Sequence, residues 1–554
     1  MKSVPHRPDA PKHLRLRETR IDRSAAVGAG IDGTLGFVRE RPMGRVRRAV
    51  RIGIALLAGL AAVLALPPYS MLPIAPVAFG AVYWLVRRSS PQASFTYGWL
   101  FGLGFFGAGL FWISESFQVD ADRFGALAAP AVGGLSAFLA LFPALACSLV
   151  AILGKTRIST GPGLAVIFAA AWVLSEWLRG HLLTGFPWNL AAYALVDYAS
   201  LRQSVAWFGS YGVSFLVVLA AVLPVQALVL RGSDRWVSAV LFLLIIGGSW
   251  SGGMWQLKRP EPVGADVALR IVQGNVPQED KWRPENRAPT LTRYLELSAA
   301  GGPVDIVLWP ETAFPGYLDE LPKVRAQVAT ALPQGAVLLT GVPDRSIRGD
   351  APEYYNAVHA YDDSGVLLAR YSKHHLVPFG EYVPFNDWLP IERMTAGLGE
   401  FTAGPGPDTI ELPGLPSVAV AICYEIIFPG SIIDPTHRAD WIFNATNDAW
   451  FGRSIGPKQH LAAARMRAVE EGLPVIRAAN TGISAVIDAR GRLLAHLGLE
   501  ETGAIDANLP PPLPPTLYAR FGDFLVLPLI AVLWVATALL SRAFRKLGVL
   551  HFGT

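Results

Sequence analysis

Cysteine is the scarcest residue in this chain, with two among 554. Cys147 lies inside an apolar run and Cys423 in a polar region, so geometry does not favour a bond between them. Two cysteines build neither a disulfide framework nor a cysteine-rich metal site. Charge is scarce as well: 16% of residues are charged, against roughly 25% in soluble domains. Hydrophobic residues reach 52%, and the mean hydropathy is +0.36. That balance excludes an ordinary soluble protein and points to the membrane. Internal repeats are not evident, and no low-complexity tract occurs beyond the N-terminus.

The positive charge that is present is concentrated. Residues 1–51 hold 13 Lys and Arg against 5 Asp and Glu, directly before the first apolar run. A cytoplasmic flank has this form, whereas a nucleic-acid arm would interleave aromatics, which are lacking here. The first 45 residues carry Gly, Pro and Arg without apolar periodicity and are expected to be disordered. The first apolar run starts too far in, and lacks the small-residue cleavage site, to be a removable signal peptide.

Crossing the hydrocarbon takes about 20 apolar residues. Candidate spans are 50–67, 71–87, 95–115, 125–153, 163–181, 209–230, 236–255 and 521–541. The fourth is overlong, which implies tilt or partial re-entry. Eight spans put both termini on one side. Arg87 and Arg88, Lys155 and Arg157, and Arg231 and Arg235 fall in alternate loops on the side of the basic N-terminus, while Glu115, Asp120 and Asp122 lie opposite. The resulting expectation is a basic tail over 1–49, a bundle of about seven spans over 50–258, a catalytic domain over 259–510 facing away from the cytoplasm, and a last span with its tail over 511–554. Glu176 and Arg179, i,i+3 near the outer end of the fifth span, are either functional or a structural pair. The aromatic loop Thr184-Gly185-Phe186-Pro187-Trp188 reads first as an interface anchor.

Between 265 and 508 the pattern changes to short β-rich runs and helices, an α/β arrangement with buried strands. Strand-like runs occur at Val267–Val276, Asp305–Trp309, Ala336–Gly341, Val418–Ile422 and Trp441–Asn444, with helices over 285–300 and Pro457–Gly472. The second helix reads as amphipathic, and Asp362-Asp363-Ser364-Gly365 reads as a hairpin turn.

Three reactive residues follow three strand-like runs: Glu311, Lys373 and Cys423. Residues at the carboxyl ends of strands gather at one sheet edge, where ligands bind. A thiol with a pKa near 8.5 needs a base; a carboxylate supplies one, and an ammonium stabilises the thiolate and the later oxyanion. Taken singly, each has a plainer reading: a strand-end carboxylate, a solvated lysine, a small buried hydrophobe.

Together their settings are similar to a known pattern. Trp309-Pro310-Glu311, the run Lys373-His374-His375-Leu376-Val377-Pro378-Phe379-Gly380-Glu381-Tyr382-Val383-Pro384, and Cys423-Tyr424-Glu425 resemble the Glu, Lys and Cys motifs of the nitrilase superfamily. Phe379 to Pro384, Asn447-Asp448-Ala449-Trp450-Phe451-Gly452, the Thr184–Trp188 loop, and Gln459-His460 with Ala464–Ala468 further resemble the apolipoprotein N-acyltransferase family, over roughly residues 50–541. The resemblance implies an αββα sandwich beside a transmembrane bundle of about eight spans in a bacterial inner membrane. It implies a ping-pong reaction without metal or cofactor: a phospholipid acyl chain passes to Cys423 as a thioester, then to the N-terminal amine of an S-diacylglyceryl-cysteine apolipoprotein. Glu311 is then the base, and Lys373 stabilises the oxyanion with help from the Tyr424 N–H.

The supporting positions carry alternatives. Glu381 either orients Lys373 or is a turn carboxylate. Tyr424 and Glu425 either shape the pocket or start the next helix. Trp282 is either a substrate-loop aromatic or an interface anchor, and Asn447 and Trp450 are further pocket-wall candidates. His374, His375 and His460 have no carboxylate or Cys at metal spacing, so no metal is expected. The runner-up is a membrane-tethered nitrilase-type amidase that hands its acyl group to water. A transporter reading lacks paired Gly/Pro-broken helices. Nothing in the chain demands a partner subunit, so a monomer is expected.

Overall fold

The computed structural model describes residues 45–154, 162–348, 351–384 and 400–546. Residues 1–44 of the basic tail, and the loop charges Lys155 and Arg157, lie outside them. A helix occupies each apolar stretch: α1 Arg45–Val63, α2 Ile74–Val86, α3 Pro91–Gly109, α4 Ala121–Leu153, α5 Gly163–His181, α6 Val205–Val229, α7 Ser233–Lys258, and near the chain's end Leu517–Ala543. Five of these, α4 to α7 and the last, are long and apolar enough to cross a membrane, and α2 is a shorter apolar helix. In the overlong fourth stretch, residues of α4 between Leu127 and Phe142 line a cavity, and Leu135, Leu139 and Phe142 among them also pack against the bundle core.

The region between α7 and the last helix holds two six-stranded sheets. The first contains β1 Ala268–Gln273, β2 Ile306–Trp309, β3 Val337–Arg348, β4 Ala351–Tyr361 and β5 Leu367–Ser372. The second contains β6 Thr409–Leu412, β7 Leu415–Ile422, β8 Trp441–Thr446, β9 Val475–Ala479, β10 Ser484–Ile487 and β11 Leu493–Leu497. A final strand, β12 Gly503–Asn508, returns antiparallel to β1, giving the orders β12-β1-β2-β3-β4-β5 and β11-β10-β9-β8-β7-β6. The central strands β1-β2-β3 and β7-β8-β9 run parallel, as their near-continuous apolar sequences require. The Asp362–Gly365 turn joins β4 to β5 in an antiparallel hairpin.

Side-chain alternation builds the layers. Leu269, Ile271, Ile306 and Leu308 from the first sheet share one core with Val418, Val420, Ile422, Trp441 and Phe443 from the second. The opposite faces of the same strands turn outward. Val307, Trp309 and Leu338 pack under α9 Pro284–Ala299 and α10 Pro322–Ala331. Ala419, Ala421 and Ile442 join α11 Gly456–Glu471 and the membrane helices in a second core. The result is helix, sheet, sheet, helix, with the bundle against the fourth layer.

Helix α11 corrects one expectation. It is buried along almost its whole circumference, including Gln459, His460, Arg467 and Glu470. An amphipathic pattern would have left its polar side in water; here those groups bond across to neighbours instead. Trp188 Nε1 donates to Gln459 Oε1 at 2.8 Å, Ser210 N–H to Glu470 Oε1 at 2.6 Å, and Arg467 Nη2 to Ser210 Oγ at 2.7 Å. Buried polar groups are tolerated only when bonded in this way.

Candidate active site

Glu311, Lys373 and Cys423 follow β2, β5 and β7, and all three line one cavity of about 1270 Å³. Glu311 reaches it on backbone that presses against β3: a Cβ at Gly341 would sit 2.5 Å from the Glu311 Cα, so only glycine allows this approach. Trp309, two residues earlier, is fully buried and anchors the strand by donating from Nε1 to Ser298 Oγ at 2.8 Å.

Cys423 begins a 3₁₀ turn directly after β7 and has φ +49°. A non-glycine residue is strained there, and two neighbours hold it. His460 Nε2–H donates to the Cys423 carbonyl oxygen at 3.0 Å, and His460 Nδ1 lies 2.8 Å from Asp448 Oδ1. Asp448 Oδ2 also accepts from Arg477 Nη2 at 2.6 Å. Burial would raise the Asp448 pKa, yet Arg477 and His460 hold it down at about 2. The Cys423 thiol moves the other way. Burial pushes it well above its ordinary value, the Glu311 carboxylate pushes it further, and Lys373 offsets only part. The resting group is therefore a thiol.

Lys373 is almost fully buried and donates from Nζ to Glu381 Oε1 at 3.0 Å, with Oε2 at 2.9 Å and Glu311 Oε1 at 3.8 Å. Burial would lower its pKa, but Glu381 and Glu311 outweigh that and hold it above the ordinary lysine value. Lys373 is a fixed cation. Glu381, read from the sequence as orienting Lys373 or as a turn carboxylate, touches it directly and also accepts from the Val377 N–H at 2.7 Å.

Glu425 performs a different task from shaping a pocket wall. Its Oε2 accepts from the Ile422 N–H at 2.7 Å, and its Oε1 accepts from His374 N–H at 2.8 Å, His375 N–H at 3.1 Å and Tyr371 O–H at 2.9 Å. It ties the cysteine turn to the lysine loop. Burial would raise its pKa, and the contacts with His374 and Ile422 hold it below the usual carboxylate range. Tyr424 O–H donates to the Gly185 carbonyl at 2.9 Å, and His375 Nε2 donates to the Thr184 carbonyl at 2.7 Å. The Thr184–Trp188 loop is therefore fastened to the catalytic turn.

The remaining singled-out residues also line the cavity. Asn447 is held by Gln278 at 2.7 Å and Asn480 at 3.0 Å. Trp450 accepts at its carbonyl from Ser116 Oγ at 2.8 Å, and Trp282 is half-buried on the wall. Arg179 lines the cavity too, and the pair Glu176 and Arg179 braces the loop beside it: Arg179 Nη1 donates to the Trp188 carbonyl at 2.7 Å, and Glu176 Oε1 accepts from the Ala191 N–H at 3.0 Å.

Sequence reasoning missed two residues. Asn356 on β4 donates from Nδ2 to Glu311 Oε1 at 2.7 Å and to Glu381 Oε1 at 2.8 Å, bridging the two carboxylates. No local motif marks it; only the β4–β5 pairing brings it beside Lys373. Lys281 ends α8 Gln278–Lys281, and its Nζ donates to the Glu311 carbonyl oxygen at 3.3 Å. It stands next to Trp282 in sequence, which was the available signal. A separate cluster of Asp319, Asp344 and His359 has the spacing of a cation site, but Arg370 pairs with both of its carboxylates and Arg325 with one. It is a neutralised network.

The family described as apolipoprotein N-acyltransferase N-terminal domain matches residues 58–223, and the carbon-nitrogen hydrolase family matches residues 268–513. The apolipoprotein N-acyltransferase of Rhodopseudomonas palustris is 40% identical over 522 residues, covering 90% of this chain and 96% of its own. That of Bradyrhizobium diazoefficiens is 40% identical over 526 residues, covering 90% and 95%. Among solved structures, an amidase from Nesterenkonia sp. aligns over 46% of this chain and 93% of its own, with 19% identity and a TM-score of 0.32.

Proposed function

The chain belongs to the apolipoprotein N-acyltransferase family, and from that membership we propose that it moves an acyl chain from a membrane phospholipid to the N-terminal amine of an S-diacylglyceryl-cysteine apolipoprotein. One observation carries the reading: Glu311, Lys373 and Cys423 stand in a cavity of about 1270 Å³ whose wall continues along the apolar helix α4. Typical small-ligand pockets are about 300–1,000 Å³, and this one suits a lipid tail.

Glu311 takes the proton of the Cys423 thiol as sulfur attacks the phospholipid ester carbonyl. Lys373, fixed by Glu381, and the Tyr424 N–H stabilise the oxyanion. The intermediate collapses, the lysophospholipid alkoxide takes the proton back from Glu311, and the acyl chain remains on sulfur. The amine of the apolipoprotein then attacks the thioester, Glu311 receives a proton from nitrogen, and the Cys423 thiolate leaves and is reprotonated. Trp282, Asn447 and Trp450 form the walls along which the two lipids lie, and Glu425 keeps the lysine and cysteine loops in register. No metal or cofactor takes part.

The chain works as a monomer in the bacterial inner membrane. Seven spans lie within 50–258 and an eighth within 511–554, and the catalytic domain over 259–510 faces the periplasm. Both substrates are anchored in the bilayer, which is the physical reason for a catalytic domain tethered to membrane helices at both ends. Incubation with phospholipid is expected to yield a hydroxylamine-sensitive acyl adduct on Cys423, visible by intact mass and peptide mapping. A diacylglyceryl-cysteine peptide is expected to discharge it as an amide. Discharge to water alone would make the protein a hydrolase, and no adduct at all would remove Cys423 as nucleophile.

A further inference from the structure

Aminolysis of a thioester by an ammonium has a proton balance that one carboxylate does not close. The C–N bond forms, the C–S bond breaks, and nitrogen loses two protons on the way from ammonium to amide. One returns to the Cys423 sulfur through Glu311. The other needs a second acceptor. Lys373 is unsuited to that task, because Glu381 at 2.9 Å and Glu311 at 3.8 Å hold it as a cation. Water attacking the same thioester brings no ammonium proton to shed, so a hydrolase has no use for this second acceptor.

Lys281 is placed for it and is built differently from Lys373. It is 4% exposed and lines the same cavity as Glu311 and Cys423. Its Nζ bonds to the Glu311 carbonyl oxygen, a neutral acceptor, at 3.3 Å. Among the described residues no carboxylate forms an ion pair with it. The ionisable groups that face it are Glu311, from the end of β2, and Cys423, from the end of β7. Burial outweighs the pull of both and brings its pKa down to about 8. A free α-amine has a pKa of about 8, so a proton passes between the two amines with little free-energy difference.

We propose that Lys281 acts as a second base, accepting as a neutral amine the ammonium proton of the incoming diacylglyceryl-cysteine terminus, so that Glu311 remains free to carry the second proton from nitrogen to sulfur. Lys281 returns its proton to cavity water before the next turnover. This inference rests on the acyltransferase reading and makes Lys281 a catalytic residue of the second half-reaction, selective for an amine acceptor over water.

The test measures the two half-reactions separately in the full-length enzyme, in wild type, Lys281→Met and Lys281→Arg. Thioester formation from phospholipid is followed by mass, and discharge to a diacylglyceryl-cysteine peptide is followed from about pH 6.5 to about pH 9.5. Both variants are expected to discharge at least about tenfold slower than wild type near neutral pH, a deficit several times larger than any change in thioester formation. The deficit is expected to shrink as pH rises through the peptide amine's own pKa of about 8, where bulk water has already removed the first proton. Arginine keeps the bulk and the charge but has no accessible neutral form, so Lys281→Arg discharging like wild type would overturn the proposal. So would a deficit constant with pH, or one equal in both halves, since either marks a role in holding Glu311. If wild type forms no thioester, the acyltransferase reading itself falls, and that outcome is distinct from all the others.

Discussion

The three carboxylates in the site differ in how many donors each has already engaged, and this sorts their roles. Glu425 accepts four hydrogen bonds, and Glu381 accepts from Lys373, Asn356 and the Val377 N–H. Among the described residues the Glu311 carboxylate accepts only from Asn356, with Lys373 at 3.8 Å, so its lone pairs are the ones open to a proton. The same carboxylate helps to keep the Cys423 thiol protonated at rest. Glu311→Gln is therefore expected to move two readouts in opposite directions. Removing the negative charge lowers the thiol's pKa, so alkylation of Cys423 by iodoacetamide near pH 8.5 speeds up. Thioester formation from phospholipid falls by about 10²-fold or more. If alkylation and acylation slow together, Glu311 acts through the fold and not on the thiol proton. Glu311, Lys373 and Cys423 were legible because each follows a strand-like run with a reactive group, a pattern written within a few adjacent residues. Asn356 was not: its role arises from strand pairing 45 residues away in sequence from Glu311.

At the level of elements, runs governed by local apolar pattern read well, and elements whose surroundings are other protein did not. The strand-like runs at 305–309, 418–422 and 441–444 fall on β2, β7 and β8 within a few residues. Helix α11 carries polar residues that sequence assigns to water and packing assigns to the bundle. The sixth span, read as starting at 209, does start there: the stretch Val205–Val229 is two helices that meet at a break at Gly209, which has φ +64° and ψ 176°. That region is essentially restricted to glycine, and the Tyr518 ring fills the space where a Cβ would project. The break also points the Ser210 N–H at Glu470 on α11, so it helps to dock the catalytic domain on the bundle. Gly209→Ala combines backbone strain with overpacking and is expected to destabilise the protein by about 2–4 kcal/mol, read as a lowered thermal unfolding midpoint in detergent. Adding Tyr518→Ala relieves the clash but not the strain, so the double variant recovers less than the steric share. Full additivity of the two losses would mean that ring and glycine are not in contact.

For the molecule as a whole, the arrangement follows from two solvents acting on one chain. Long apolar helices need the bilayer, the sandwich needs water, and a buried α11 with the Thr184–Trp188 loop joins the two. The proposed orientation of the sandwich rests on charge. Arg87 and Arg88 follow α2 and Arg231 follows α6, whereas Asp120 and Asp122 precede or open α4; the expected retention of basic loops in the cytoplasm supports a sandwich on the outer side. The β4–β5 hairpin offers a reporter, since Ser364 is exposed at its turn, and Arg231 offers the complementary one. In a Cys423→Ser background, Ser364→Cys is expected to react with a membrane-impermeant maleimide in intact spheroplasts, and Arg231→Cys only after permeabilisation. Cys147 is buried and remains silent in both. The reverse labelling pattern would place the nucleophile in the cytoplasm. The proposed function places the nucleophile and its lipidated acceptor on the same outer side, so such an inversion would overturn that orientation and, with it, the acyltransferase reading, whatever the chemistry of Cys423.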